Sequence, residues 1–442
     1  SYALNQKLPE DIVVQGSEEV DENFHPRFSK SKKTYEYRIL NRTFRMPTRR
    51  LDTYFYHYPL DIAKMQEAAK YFEGYENKIN HCRKSITYDQ GGASTRIFVC
   101  GNPEEKNRDF WCAAKDPTYW PDTYYSELCN EASEIIGYSI IEGYIGAHIA
   151  PALDGRSIVL RSSQLDDAGN AVFPIVKHLQ GEEAFAEDSF VYMEKEPLFI
   201  TKRGVYAITA EDVSGEKYTQ NRSYFINKAL CAEEDLKKAF CAKWKQFYVI
   251  AVSGKLYLLD TSQRSFQRGE PLSSFQYECY LWTEIPARIL FEDEGNLFFG
   301  DSEGNVFQFV EGSYSDDGKP INAFWTVPDF FGDSFWRNKT VRTVAIQAAA
   351  LPRNEIRLEY RKEGFWYVLK EWKEKISFFS WDNFSWANFT WSGNTTPRTL
   401  SVKTKIKKFD KTAFRIVCDH VDRAFGIYGF AIEFTEGGRY KK

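Results

Sequence analysis

A chain of 442 residues and 51.5 kDa is long enough for two or three domains, each with its own core. A net charge of −4 with a pI near 6 excludes bulk attraction to nucleic acid or an anionic membrane. The longest nearly unbroken apolar run, Val344 to Leu351, is far too short to span a bilayer. Aromatic residues make up 17% of the chain against only three Met, and β-branched and aromatic residues dominate the apolar runs, which points to an all-β protein. The chain opens on Ser1 without a signal-peptide pattern, which leaves room for an upstream segment.

Residues 1–90 read as an N-terminal arm. Ser29 to Lys33 and Arg42, Arg45, Arg49 and Arg50 give it positive charge, suited to an acidic partner, to nucleic acid or to plain solvation. Its one strong element is a helix over about 59–74. Pro59 fits the first turn, Ile62, Met65, Ala69 and Phe72 form a stripe, and Gly74 supplies the stop. Thr95 to Cys100 then reads as a strand of an early or closing blade, stopped by Gly101-Asn102-Pro103. The loop after it carries Phe110, Trp111, Tyr119, Trp120, Tyr124 and Tyr125, more rings than a solvated loop needs. A weaker helix is expected from Ser126 to Ile136.

From residue 150 a repeat sets in. Gly155, Gly204, Gly254 and Gly304 follow one another at 49, 50 and 50 residues, and each is followed by a strand. The last three are also preceded by one, the pattern of a β-hairpin whose glycine takes the left-handed turn position. A hairpin repeated about every fifty residues is the signature of propeller blades. The expected architecture is therefore an all-β chain: a β-propeller of five to seven blades over 91–325, followed over 326–442 by a C-terminal β-sandwich-like domain. Past Trp325 the period fails and strands at 340–349, 355–360, 366–370, 399–406, 413–418 and 430–434 replace it. Within that domain Phe-Ser/Thr-Trp recurs three times at a spacing of five: Phe379/Trp381, Phe384/Trp386 and Phe389/Trp391. These rings either cap the sandwich core or anchor a neighbouring subunit. Trp381, Trp386, Trp391, Phe384 and Phe389 are the candidate interface residues.

The search for chemistry is negative. The six histidines are scattered, no Cys/His grouping has zinc-ligand spacing, and no nucleophile elbow, phosphate loop or zinc-protease helix occurs. The eight cysteines read as free, mostly buried thiols of a reducing compartment, and the six N-x-S/T sequons as coincidence. The stretch Asp301-Ser302-Glu303-Gly304-Asn305 is similar to acidic loops of sialidase or calcium-binding propellers, but Asp and Gly are what any hairpin wants there. No catalytic, cofactor or metal residue is assigned, and none is expected.

Several stretches together resemble the tail hub or nozzle proteins of tailed bacteriophages, often labelled stabilization proteins. They are GGASTRIFVCGNPEEKNRDFW followed by DPTYWPDTYY, RSYFIN at 222–227, WTEIPARILFEDEGNLFFGDSEGNVFQF at 282–309, SYSDDGKPINAFWTVPDF at 313–330 and FGIYGFAIEFTEGG at 425–438. The resemblance covers most of 90–442. It departs at Cys112, where the family has a small residue, and at Trp120, where Phe is common. It implies a virion structural protein of the tail or head–tail connector, assembled in the bacterial host cytoplasm. Such a protein is a homo-oligomeric ring that meets a portal, adaptor or other tail protein and closes the channel over packaged double-stranded DNA. It carries no catalytic residues. The lumen should then be neutral or acidic, with the basic residues of 29–50 outside it. Two rival readings remain, a carbohydrate-binding or glycan-hydrolysing propeller and an intracellular interaction scaffold.

Overall fold

The computed structural model describes residues 37–70, 78–194, 196–210, 217–266, 269, 274–351, 354–373 and 396–439. Residues 1–80 and 81–442 form separate compact units. In the first, a short parallel pair joins Ile39–Asn41 to Tyr54–Tyr56, and a helix runs over Ile62–Lys70. Ile62 and Met65, two members of its predicted stripe, are exposed, as are Arg42, Arg45, Arg49 and Arg50. Gly74 lies outside the described residues.

The second unit is a β-propeller followed by a β-sandwich. Its first four blades are four-stranded antiparallel sheets. Blade one comprises Lys84–Tyr88, Arg96–Cys100, Arg108–Trp111 and Tyr125–Glu127. Blade two comprises Glu134–Ile141, Tyr144–Ala150, Arg156–Arg161 and Ile175–Gln180. Blade three holds Val191–Met193, Glu196–Thr201, Gly204–Ala210 and Lys217–Asn221, and blade four Phe240–Trp244, Phe247–Val252, Lys255–Phe266 and Phe275–Thr283. Blade five has three strands, Ile289–Asp293, Asn296–Gly300 and Val306–Gln308. The first strand of each blade lies against the first strand of the next. Blade one thus starts at Lys84, upstream of the expected boundary at 91.

Alternation decides how the blades pack. In blade four, Tyr248, Ile250 and Val252 join the core shared with blade three, while Val249 and Ala251 join the core shared with blade five. The next strand does the same, sending Tyr257 and Leu259 one way and Leu256 and Leu258 the other. A period of two with both faces apolar is what a strand between two neighbours requires. The expected helix over Ser126–Ile136 is corrected for the same reason. That region contains Tyr125–Glu127 and the start of Glu134–Ile141, where Ile135 faces the core with blade one and Ile136 the core with blade three. Two-sided burial removes the polar positions that distinguish a strand from a helix in sequence.

All four repeat glycines lie in the link between the second and third strands of their blades or at its end, and all have positive φ: Gly155 +78°, Gly204 +126°, Gly254 +73° and Gly304 +90°. Their local roles differ. Ser253 (φ +50°) and Gly254 make a two-residue turn between the paired Val252 and Lys255. Gly304 closes a longer loop in which the Asp301 carboxylate accepts from the backbone N–H of Glu303 and Asn305, both at 2.9 Å. Gly204 follows the Lys202-Arg203 turn and pairs with Thr201. It is glycine because a Cβ would lie 2.1 Å from Asn227 Oδ1 and 2.7 Å from Ser223 Oγ.

Beyond blade five, a four-stranded sheet packs on a three-stranded one. The first orders Ala323–Thr326, Ala413–Cys418, Glu355–Lys362 and Phe365–Lys373; the second orders Arg398–Phe409, Arg337–Ala348 and Ile427–Arg439. Val344 and Ile346 from one sheet meet Ile356, Leu358, Phe414 and Ile416 from the other in a single core. The aromatic repeat, with Trp381, Trp386, Trp391, Phe384 and Phe389, lies outside the described residues.

The two kinds of glycine separate in a stability measurement. Gly254→Ala, which meets nothing within 4 Å, should cost about 1–2 kcal/mol for its left-handed backbone alone. Gly204→Ala adds the clash with Asn227 and Ser223 and should cost clearly more. Equal denaturation midpoints for the two variants would contradict this assignment.

Candidate functional site

The most concentrated polar chemistry lies between blades. At the first junction Asp109, from blade one, is fully buried and accepts from Arg161 and Tyr138 of blade two. Tyr138 Oη donates to Asp109 Oδ2 at 3.1 Å, Arg161 Nη1 to Oδ1 at 3.2 Å, and Arg161 Nη2 to Oδ2. The guanidinium also sits 5.1 Å from the Phe98 ring centroid. The same trio recurs between blades three and four. Arg222 donates through Nε to Glu196 Oε1 at 2.8 Å and through Nη2 to Oε2 at 2.9 Å, and Tyr277 Oη donates to Oε1 at 2.7 Å. Arg222 also donates to the Phe275 carbonyl and lies 3.7 Å from that ring's centroid. In both places a bidentate arginine and a tyrosine neutralise and orient one buried carboxylate. These are joints, with their donors and acceptors turned on one another.

The junction between blades two and three holds His148. Its imidazole packs 4.7 Å from Phe190 and 4.6 Å from Phe199, with Nε2 hydrogen-bonded to Ser139 Oγ at 2.8 Å and Nδ1 buried without a partner. Burial lowers its pKa from 6.5 to about 3, so it stands neutral. It has no carboxylate to orient it and no access to solvent, which removes it as a general base.

A cleft of about 340 Å³ opens at the edge of blades one and two, lined among others by Glu127, Cys129, Asn130, Asp154, Arg156 and His178. Its groups are poorly placed for catalysis. Glu127 is engaged by Arg108 at 2.9 Å, and Arg156 lies 3.6 Å from Asp154. Burial, with Asp154 and Glu134 nearby, pushes the Cys129 thiol up to about 11, so it is protonated at neutral pH. Cys129 and His178 form no hydrogen bond, and no nucleophile–base pair is assembled.

All eight cysteines are free thiols, and burial raises Cys241 to about 12 and Cys279 likewise. Among the described residues no group of three His, Cys, Asp or Glu could hold a metal ion, and no helix is long and apolar enough to cross a membrane. The aromatic stretch after Arg96–Cys100 is partly packed: Phe110 is buried, Trp111 stacks on Tyr124 at 6.0 Å, and Arg96 lies over Tyr124, whereas Tyr119 and Tyr125 are exposed. Sequence reasoning missed Asp109, Arg161, Glu196 and Arg222. The partners of each pair stand 52 and 26 residues apart, and nothing local marks them.

No family model matches the chain. A 73-residue stretch is 49% identical to tRNA pseudouridine synthase A of Thermoanaerobacter sp. (strain X514), covering 16% of this chain and 30% of that protein. The corresponding protein of Acetivibrio thermocellus is 47% identical over 74 residues, 17% of this chain and 30% of its own length. The chain thus spans about 30% of the length of these curated relatives. Among solved structures, the exo-β-1,3-galactanase of Phanerochaete chrysosporium in complex with galactose aligns over 79% of both chains at 10% identity and a TM-score of 0.25. Neither kind of match places the chain in a family, and the fold rests on its own succession of sheets.

Two measurements probe the junctions. Arg161→Met should cost on the order of 3–5 kcal/mol by stranding Asp109, while adding Asp109→Leu should recover much of that loss. Additive losses in a double-mutant cycle would show that the pair is not coupled. For His148 the folded pKa is depressed. Its contribution is therefore intact above about 6.5 and is lost as pH falls toward about 3. The slope reaches about 1.4 kcal/mol per pH unit. A His148→Leu/Ser139→Ala chain should lose stability less steeply than wild type between pH 6 and 4 in urea titrations; parallel slopes would refute it.

Proposed function

We propose that this protein is a structural component of a tailed-bacteriophage tail or head–tail connector, a ring-forming hub or nozzle that closes the DNA channel and has no catalytic role. The observation that carries the reading is where the resembling stretches fall in the fold. NRDFW contributes Asp109 to the first interblade joint, and RSYFIN opens on Arg222 and Ser223, both fully buried. The resemblance thus extends to buried residues that fix blade to blade, beyond generic turns. The buried acids, bases and hydroxyls serve packing, and the cleft holds a protonated thiol and carboxylates held by arginines.

In this reading the partners are further copies of the chain, a portal or adaptor ring and neighbouring tail proteins. Double-stranded DNA passes through the lumen without sequence-specific contacts, and the protein resides in the virion. A lumen wall rich in unpaired cations would hold phosphates and stall passage, so cationic surface belongs on subunit or neighbour contacts. The aromatic residues Trp381, Trp386, Trp391, Phe384 and Phe389 are proposed as one such contact, since each ring can bury roughly 150–250 Å².

Size-exclusion chromatography with light scattering, alone and with a portal assembly, tests the reading. A closed oligomer or a stable portal complex is expected. A chain that remains a monomer and binds no portal overturns it. Trp386→Ser/Trp391→Ser should melt as wild type and lose assembly; a variant that unfolds would assign these rings to the core.

A further inference from the structure

Blade five differs from the other blades in three ways. It has three strands where they have four, so Val306–Gln308 is an open sheet edge. Among the described residues only one of its faces is packed: Leu290, Leu297 and Phe299 enter the core shared with blade four. The opposite face presents Ile289 and Phe291, 52% and 42% exposed, with Phe298 stacked on Phe291 at 4.9 Å. Its rim is acidic. Residues 284–317 hold nine carboxylates against one arginine, including the hairpin tip Glu292-Asp293-Glu294, every residue of which is exposed. Burial raises the pKa of Asp316, and the neighbouring Glu284 carboxylate adds to it. Lys245 of blade four pairs with Glu311 at 2.8 Å, whereas Glu292, Asp293 and Glu294 form no ion pair with a described residue.

The complementary surface lies on the same chain. Arg398–Phe409 is an edge strand of the three-stranded sandwich sheet. Its Ile406 faces the core, while Lys403, Lys405 and Lys407 stand exposed on the other side, followed by exposed Lys408. Residues 398–411 carry six cations against one carboxylate, and none of these four lysines forms an ion pair with a described residue. Nor does any ion pair among the described residues join this strand to blade five. Lysines on an edge strand deter pairing with a like edge. They favour an acidic one. Their alkyl stems can cover Ile289, Phe291 and Phe298 while the ammonium groups reach the acidic rim.

We propose that the lysine-bearing strand Arg398–Phe409 of one copy docks on the open, acidic fifth blade of the next copy, in a head-to-tail contact that propagates the ring. This rests on the ring reading above and adds to it the two surfaces that meet. A ring built from heterologous contacts requires two different, mutually complementary patches on every subunit, and opposite charge supplies that complementarity as well as the partner's orientation.

The test uses the full chain at low and high salt, with mass read by light scattering. Lys403→Glu/Lys405→Glu/Lys407→Glu and Glu292→Lys/Asp293→Lys/Glu294→Lys should each weaken self-association about tenfold or more. The chain carrying all six substitutions should assemble again. Wild-type assembly should weaken as salt rises. Thermal melts establish that each variant is folded; should either triple reversal melt low, Lys403→Gln/Lys405→Gln/Lys407→Gln replaces it, with partial loss of assembly expected. If wild type assembles and the folded reversals assemble equally well, or the six-substitution chain stays apart, the docking proposal falls while the ring reading stands. If wild type never leaves the monomer, the ring reading falls and the docking with it.

Discussion

Burial of each central strand on two sides is the constraint from which the rest of this structure follows. Tyr248 and Val249 are adjacent in sequence, yet they serve different cores, one toward blade three and one toward blade five. A blade is therefore not a stable object by itself. Its apolar surface is satisfied only by neighbours on both sides, so stability accumulates along the series. Such a strand gives up the polar half of its alternation, and specificity of alignment has to come from elsewhere.

The buried arginine–carboxylate–tyrosine trios supply that alignment. Apolar faces tolerate sliding, because most displaced contacts are replaced by similar ones. A bidentate pair such as Arg222–Glu196 does not, since a shift of an ångström breaks charge-assisted hydrogen bonds in a dry interior. The second function of the trio is local. Arg222 also donates to the Phe275 carbonyl and stacks on that ring, so one side chain ties blade three to the outer strand of blade four. Two of the four junctions carry such a trio. At the junction between them His148 is held between two phenyl rings with a single hydrogen-bonded nitrogen.

How much of this was legible in the sequence depends on the range over which each determinant acts. The fifty-residue period of Gly155, Gly204, Gly254 and Gly304 is a local signal, and it marks the same interstrand link in four blades. The fifth instance, Gly101 with φ +82°, occupies that link in blade one and went unread as a repeat because its spacing to Gly155 is 54. The helix expected at 126–136 failed because Ile135 and Ile136 are both buried, on opposite faces. The joints were invisible because Asp109 and Arg161 come together only after two sheets have formed. Of the candidate site residues, the glycines have a described place and the aromatic repeat does not. No spacing rule could have found the cleft at Glu127 and His178, whose lining converges from six segments.

The distribution of charge carries the functional argument further than the search for a catalytic group does. A net charge of −4 conceals a stretch around the fifth blade, residues 284–317, with nine carboxylates against one arginine, and an edge strand with four exposed lysines, Lys403, Lys405, Lys407 and Lys408, that form no ion pair with a described residue. In an isolated monomer both patches are unfavourable, each through repulsion among its own members. Mixing the signs within each patch would remove that repulsion without disturbing the packed cores, because the residues concerned are exposed. Segregation has a physical benefit where the patches meet, and no ion pair among the described residues joins them within one chain. Screening limits such attraction to about a Debye length, roughly 8 Å at physiological salt. A second copy of the chain carries both surfaces, and docking of one on the other, as proposed above, would supply that benefit.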